Sequence, residues 1–168
     1  MDFNWNNEQL EMYQQAVSFA QSKMNKNLIE EDRESHFSRE KWHALGQMGL
    51  LGLTIPEEYG GLGLDPLTSA YTLEGFGYGC RYAGIFLSLG AHLWAVETPI
   101  LLYGNEFQKR EFLPKLASGE WVGAHAISEP DAGSDAMSMD TRAELNGDFY
   151  VLNGRKTFVT NAPVADFF

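Results

Sequence analysis

Cysteine is almost absent. The single Cys80 among 168 residues cannot form an internal disulfide, which excludes a disulfide framework and fits a reducing, cytoplasmic compartment. In an apolar helical stretch it reads as a packing residue. Basic residues are scarce too: 12 Lys and Arg stand against 23 Asp and Glu, for a net charge of -11. Nucleic acid is held by clustered Lys and Arg, so it is excluded as a partner, and an anionic membrane surface is disfavoured for the same reason. No apolar run approaches the ~18 residues needed to cross a bilayer. The most apolar one, Tyr82 to Val96, is shorter and reads as a buried helix. The opening MDFNWNNEQLEMYQQ has neither a basic n-region nor an apolar h-region, so it does not read as a secretory signal. No grouping of Cys, His and Asp has metal-ligand spacing, and no metal is expected.

What is present points to a globular chain, with 44% hydrophobic and 13% aromatic residues. Leu10, Tyr13, Val17, Ala20, Met24 and Leu28 fall at three- and four-residue spacing and predict one helix from Asn7 to about Glu31, capped by Asn6 or Asn7. Ser38 caps a second helix, Arg39 to Met48, closed by Gly49. LLGLTIPEEYGGLGLD reads as a connector whose glycines serve turns; a phosphate loop would need a following Lys that is missing. Asp65 followed by Pro66 opens a third helix through Glu74, loosened by Gly75, Gly77 and Gly79. His92, alone on the apolar run, reads as a hydrogen-bonded core residue. Thr98 to Tyr103 and Glu106 to Phe112 continue the helical pattern, with Pro114 after them.

At Trp121 the period drops from about 3.6 toward 2. Trp121 to Ile127, Thr141 to Leu145, Phe149 to Leu152 and Arg155 to Thr160 read as strands, with hairpin signals at Asn146-Gly147 and Asn153-Gly154. The expected class is α+β: an all-helical domain over residues 1–120, then the first strands of an antiparallel β-barrel domain over 121–168. Two stretches carry chemistry. In AHAISEPDAGSD, Ala124 to Asp135, Ser128, Gly133 and Ser134 offer hydroxyls, backbone N–H groups and a close approach to a phosphorylated ligand. Glu129 and Asp131 argue against capture of a bare phosphate by that loop alone. In GRKTFVTNA, Gly154 to Ala162, a strand would place the Phe158 ring and the Thr160 hydroxyl on one face, which suits an aromatic cofactor.

The first stretch resembles the flavin signature of the acyl-CoA dehydrogenase family, read here from Ile127 to Asp135. The second, NGRKTFVTN, is similar to that family's other flavin strand. The connector Gly52 to Gly63 and YGNEFQKREFLPKLASGE, Tyr103 to Glu120, agree with the same family. The resemblance implies FAD as cofactor, contacted by His125, Ala126, Ile127, Ser128, Gly133, Ser134, Phe158, Val159 and Thr160. Ile127 backbone and the Ser128 hydroxyl would meet the ring's polar edge, and Thr160 would approach N5. Ser134 would lie near the FAD pyrophosphate and the substrate's CoA portion. Phe158 stands where the family usually has Trp, keeping the flat face but losing the indole N–H. Asp131 replaces a residue that is often Gly. Ala83, Phe86 and Leu87 lie where the family places the acyl pocket, although core packing is the favoured role.

The activity implied is α,β-dehydrogenation of an acyl-CoA thioester, with electrons passed to a transfer protein and a homotetramer in the full-length enzyme. By the same resemblance the catalytic Glu lies beyond Phe168, so no catalytic residue is assigned, and Glu129 takes a structural place. The resemblance covers essentially the whole chain, while the chain covers less than half of the family's length and reads as a fragment. Two alternatives stay open: a substrate carried on an acyl-carrier protein, and a non-catalytic module that needs a partner chain.

Overall fold

The computed structural model describes residues 4–168. Helix α1 (Asn7–Phe19) opens on a reciprocal capping box in which Asn6 accepts the Gln9 amide and Gln9 accepts the Asn6 amide. It runs on as a π-helical turn, Ala20–Met24, and then stops. The single helix expected to Glu31 is therefore two. The Asn25 side chain bonds the Gly79 carbonyl and the Arg81 amide, 2.9 and 2.7 Å, and Asn27 turns left-handed at φ 56° before α2 (Leu28–Arg33). A tie to a distant segment outweighs helical periodicity here. Ser38 caps α3 (Arg39–Gln47), and Asp65 caps α4 (Pro66–Gly79) by accepting the Leu67 and Thr68 amides.

Gly75 and Gly79 do not loosen α4. They are its contact face with α1: a methyl group at Gly75 would fall 2.6 Å from the Tyr13 carbonyl oxygen, and one at Gly79 2.5 Å from that of Val17. Absence of a side chain lets the two backbones approach. The connector is more than a link. Leu50, Leu51, Leu53 and Ile55 are all fully buried, and amides of Leu62, Gly63 and Leu64 donate to carbonyls of Gly52, Ile55 and Leu53. Together with Met24, Trp42, Leu45, Phe76, Leu89 and Leu93, the three leucines form the main core, while Ile55 packs with Tyr59 and Leu113 in a second cluster.

The apolar run read to Val96 and the helical pattern of Thr98 to Tyr103 form a single helix, α5, Ala83–Tyr103, 21 residues long with a mean hydropathy of 1.5. By length and composition it could cross a bilayer, which corrects the shorter run read from the sequence. Only a third of that stretch is buried in the fold. Ile85, Leu89, Leu93 and Val96 face the core, whereas Ala83 and Leu87 are exposed; Phe86, also exposed, stacks one ring face on the buried Phe76. Within α5, residues Ala91–Glu97 are π-helical, and this wider turn brings His92 and Glu97, five residues apart, to 3.3 Å between Nε2 and Oε1. Helix α6 (Glu106–Ala117) contains Pro114 rather than ending before it. Proline has no amide to donate to the Arg110 carbonyl one turn back.

Beyond α6 the strand expected from Trp121 to Ile127 reduces to one parallel bridge between Gly123 and Phe167. The antiparallel ribbon is present: β1 (Arg142–Asn146) pairs with β2 (Phe149–Asn153), Leu145 opposite Tyr150. Asn146 pairs with Phe149, so the turn is Gly147-Asp148, one residue later than the Asn146-Gly147 pair suggests. Positive φ at Gly147 alone among these residues is the type II′ pattern. The expected strand from Arg155 to Thr160 does not form, and Phe158 and Asn161 are left-handed at φ 54° and 70°.

Two outcomes follow. Helix propensity alone would favour Ala at position 75 by about 1 kcal/mol, but the clash with Tyr13 outweighs it; Gly75→Ala should lower unfolding stability in urea by about 1–2 kcal/mol. Glu97 is wholly buried, and burial pushes its carboxyl up to about 7, with His92 offsetting part of the rise. Between pH 4.5 and 7 the folded state keeps a proton that the unfolded chain releases, so stability should fall as pH rises through that window and level off above it. Glu97→Gln should flatten this slope, worth at most about 3 kcal/mol, in denaturation curves taken from pH 4 to 8.

Candidate functional site

The two stretches singled out in the sequence lie side by side. The Thr157 amide donates to the Ser128 carbonyl at 2.8 Å, and Lys156 Nζ donates to the Ile127 carbonyl at 2.9 Å. Neither Ser128 nor Thr160 sits in a strand, so the shared strand face expected for Phe158 and Thr160 is absent. In its place the left-handed residue turns the Phe158 ring outward, where it is 95% exposed.

Glu129 holds the arrangement. Its carboxylate accepts the Asp140 and Thr141 amides, 2.6 and 3.0 Å, the Thr141 hydroxyl, and Lys156 Nζ at 2.8 Å. The Lys156 ammonium, then the Thr141 hydroxyl and the Asp140 amide, pull the carboxyl down to about 2. Glu129 is thus fixed as an anion and placed structurally, as the resemblance implied. Its backbone also closes a tight turn with Ala132, Pro130 and Asp131 at the tip. Proline suits the first corner because its φ is already set. Asp131, Gly133 and Ser134 follow on the exposed side of that turn.

A second set of contacts seats the segment from behind. Asp166 accepts the Val122 amide at 2.8 Å and is itself gripped by Arg39 at 2.7 Å, which holds its carboxyl below the usual range. His92 Nδ1 accepts the Gly123 amide at 3.0 Å, while His92 Nε2 stands 3.2 Å from the Leu116 carbonyl. The ring proton is therefore on Nε2. Asn161 Nδ2 donates to the carbonyls of Gly123 and Ser88, 3.0 and 3.1 Å. Sequence reasoning gave His92 a core role and missed its contact with this segment. It also passed over Lys156 and Asn161, although both lie inside the second signature. Arg39 and Asp166 carried no signal, being 127 residues apart in the chain.

Among the described residues, the side-chain hydroxyls of Ser128, Ser134 and Thr160 make no hydrogen bond, and neither do the backbone amides of residues 125–128 and 158–160. His125, Ile127, Gly133, Ser134 and Phe158 are exposed, and Ala126, Ser128, Val159 and Thr160 half-buried. Nothing lies within 4 Å of a methyl group built on Gly133. A surface of free donors, an open glycine and an exposed ring suits a flavin, whose polar edge presents nitrogen and oxygen acceptors around a single N–H. Lys156 is already committed to Glu129 and Ile127, so phosphate groups here would be met by amides and hydroxyls rather than by Lys156.

The Glu129 hub contributes above the ordinary carboxylate pKa near 4.5 and is lost as pH falls toward about 2. Exchange protection of the Asp140 and Thr141 amides, measured by NMR relative to intrinsic rates, should decline across that window. At neutral pH, Glu129→Gln should reduce the same protection by roughly tenfold.

Known proteins give the same reading. Residues 6–120 match the model of the acyl-CoA dehydrogenase N-terminal domain, and residues 124–168 that of the acyl-CoA dehydrogenase middle domain. Mitochondrial isovaleryl-CoA dehydrogenase of Bos taurus is 44% identical over 164 residues, 96% of this chain and 38% of its own length. The crystal structure of the prolyl acyl carrier protein oxidase AnaB superposes with a TM-score of 0.94 at 44% identity, over 98% of this chain and 44% of that one. PigA with FAD and proline does so with a TM-score of 0.94 at 36% identity, over 99% and 44%. The chain therefore spans less than half the length of these relatives, and it belongs to the acyl-CoA dehydrogenase family.

Proposed function

We propose that the protein binds FAD between residues 125–134 and 156–160 and takes part in dehydrogenating a thioester-linked acyl group across Cα–Cβ. The observation that carries this reading is the pairing of Thr157 with Ser128, which sets two rows of unengaged donors against each other. What FAD supplies is a two-electron sink for the hydride lost from Cβ. The chain's part is to bind and orient. The amides of residues 125–128 and the Ser128 and Thr160 hydroxyls would hold the ring's polar edge. Phe158 would cover a ring face, and Ser134 would meet the pyrophosphate and the substrate's carrier portion. Neither buried carboxylate here serves as the base: Lys156 keeps Glu129 too weakly basic, and Glu97 is sealed from solvent. Proton abstraction at Cα falls to a group outside these residues. Transfer of electrons to a protein acceptor, a homo-oligomeric assembly and a cytoplasmic setting complete the proposal.

A second reading places the acyl group on a carrier protein. The similarity to AnaB and to PigA bound to proline favours it as much as the similarity to isovaleryl-CoA dehydrogenase favours CoA. Titration of the purified protein with FAD, followed by flavin fluorescence, should show saturable binding. Ser128→Ala and Thr160→Ala should each weaken it about three- to thirtyfold. Wild-type protein that leaves flavin fluorescence and absorbance unchanged would sink the proposal in favour of a non-catalytic module. Turnover with an artificial acceptor, on acyl-CoA against aminoacyl-carrier substrates, decides between the carriers.

A further inference from the structure

The Gly123 peptide is gripped on both sides. Its N–H is taken by His92 Nδ1 at 3.0 Å, and its carbonyl by Asn161 Nδ2 at 3.0 Å. The same Asn161 amide reaches the Ser88 carbonyl at 3.1 Å, so one side chain joins α5 to both candidate flavin segments. Gly123 lies two residues before the 125–128 stretch, and Asn161 directly follows Thr160. All three groups are buried, Asn161 at 8% exposure and His92 at 0%. Gly123 has no room for a side chain, since a methyl there would fall 2.7 Å from Val96 Cγ1 on α5.

The chemistry of each residue fits its place. Asn161 sits at φ 70°, where asparagine is tolerated far better than most residues. Its amide has two N–H donors, matching two carbonyls from different segments. His92 must be neutral with its proton on Nε2 to accept the Gly123 amide, and the Leu116 carbonyl and Glu97 carboxyl both face that Nε2. Without this clamp the two segments would still meet at Thr157 and Ser128, and Asp166 would still hold Val122, but the hydrogen bonds that tie Gly123 and Asn161 to α5 would be gone.

We propose that His92 and Asn161 are positioning residues that fix the Gly123 peptide and thereby the relative seating of the two flavin-binding segments on α5. This rests on the FAD reading above and adds to it which residues set the geometry. Binding a rigid ring to donors on two segments requires their relative seating to be right within a fraction of an ångström. Loss of the clamp should therefore appear in the cofactor's affinity and in its optical signature, although neither residue reaches the donor surface itself.

Four variants test it. Asn161→Gly keeps the left-handed backbone and removes only the amide. Asn161→Asp keeps the shape and turns an oxygen toward two carbonyls. His92→Phe fills the space without an acceptor, and His92→Asn restores an acceptor near the position of Nδ1. Each would be titrated with FAD and examined by visible circular dichroism of the bound flavin, with Gly123 amide exchange measured in the FAD-free protein. The first three should bind FAD at least about tenfold more weakly, with altered flavin dichroism and faster Gly123 exchange. His92→Asn should stay within about threefold of wild type. If wild type binds FAD and Asn161→Gly and Asn161→Asp match it in affinity and dichroism, the positioning role is overturned while the FAD reading stands. Should Asn161→Gly fail to fold, Asn161→Asp decides by the same measurements. A wild type that does not bind FAD refutes the cofactor reading, and the Gly123 exchange rates then decide only whether the clamp exists.

Discussion

One buried carboxylate organises the part of this chain where chemistry is proposed. Glu129 gathers two amides, a hydroxyl and an ammonium from two separate stretches of sequence. Each of those donors would otherwise pull its own segment toward water. With them satisfied by a single anion, the loop after Ser128, the foot of the ribbon at Thr141 and the return segment at Lys156 share one fixed point. Charge-assisted hydrogen bonds are the strongest of their kind in such a setting, which is why a loop rich in small residues keeps a defined path. The donors left over, on residues 125–128 and 158–160, are free because Glu129 has done the holding elsewhere.

A different device seats this loop on the helices. There the contacts on the Gly123 peptide are neutral, from His92 and Asn161, while the Arg39–Asp166 ion pair clasps Val122. The half-exposed Arg39 pair adds little stability by itself, but it spans 127 residues of chain and gives the segment its register. The π-helical turn of α5 belongs to the same device, since it places His92 toward Gly123 and Glu97 behind it.

Much of this was readable in the residues, and the failures have a common cause. Helix caps at Asn6, Ser38 and Asp65 are local chemistry, so the sequence shows them directly. The ribbon was visible from alternation, and only its turn was misplaced by one residue. Misreadings occurred wherever a distant partner overrode a local preference. Gly75 and Gly79 look like helix breakers until Tyr13 and Val17 are seen pressing on them. Asn25 ends a helix for the sake of Gly79 and Arg81, and the alternation around Phe158 gave way to a left-handed turn. In the candidate site, the signature pattern pointed to Glu129 without its partners. Lys156 and Asn161 could have been found there, because a cation and an amide in a cofactor motif need acceptors, but which acceptors was a matter of folding.

The ribbon itself has a thermodynamic peculiarity. Ala143, Leu145, Tyr150 and Leu152 share one face, and every residue of both strands is open to solvent. Ladder bonds and cross-strand contacts alone hold such a pair, and two strands without cover are marginal in water. Its apolar face therefore stores unreleased hydration free energy, about 2.5 kcal/mol for each ~100 Å² brought under cover. The persistence of β1 and β2 is thus a property of their surroundings as much as of their own residues.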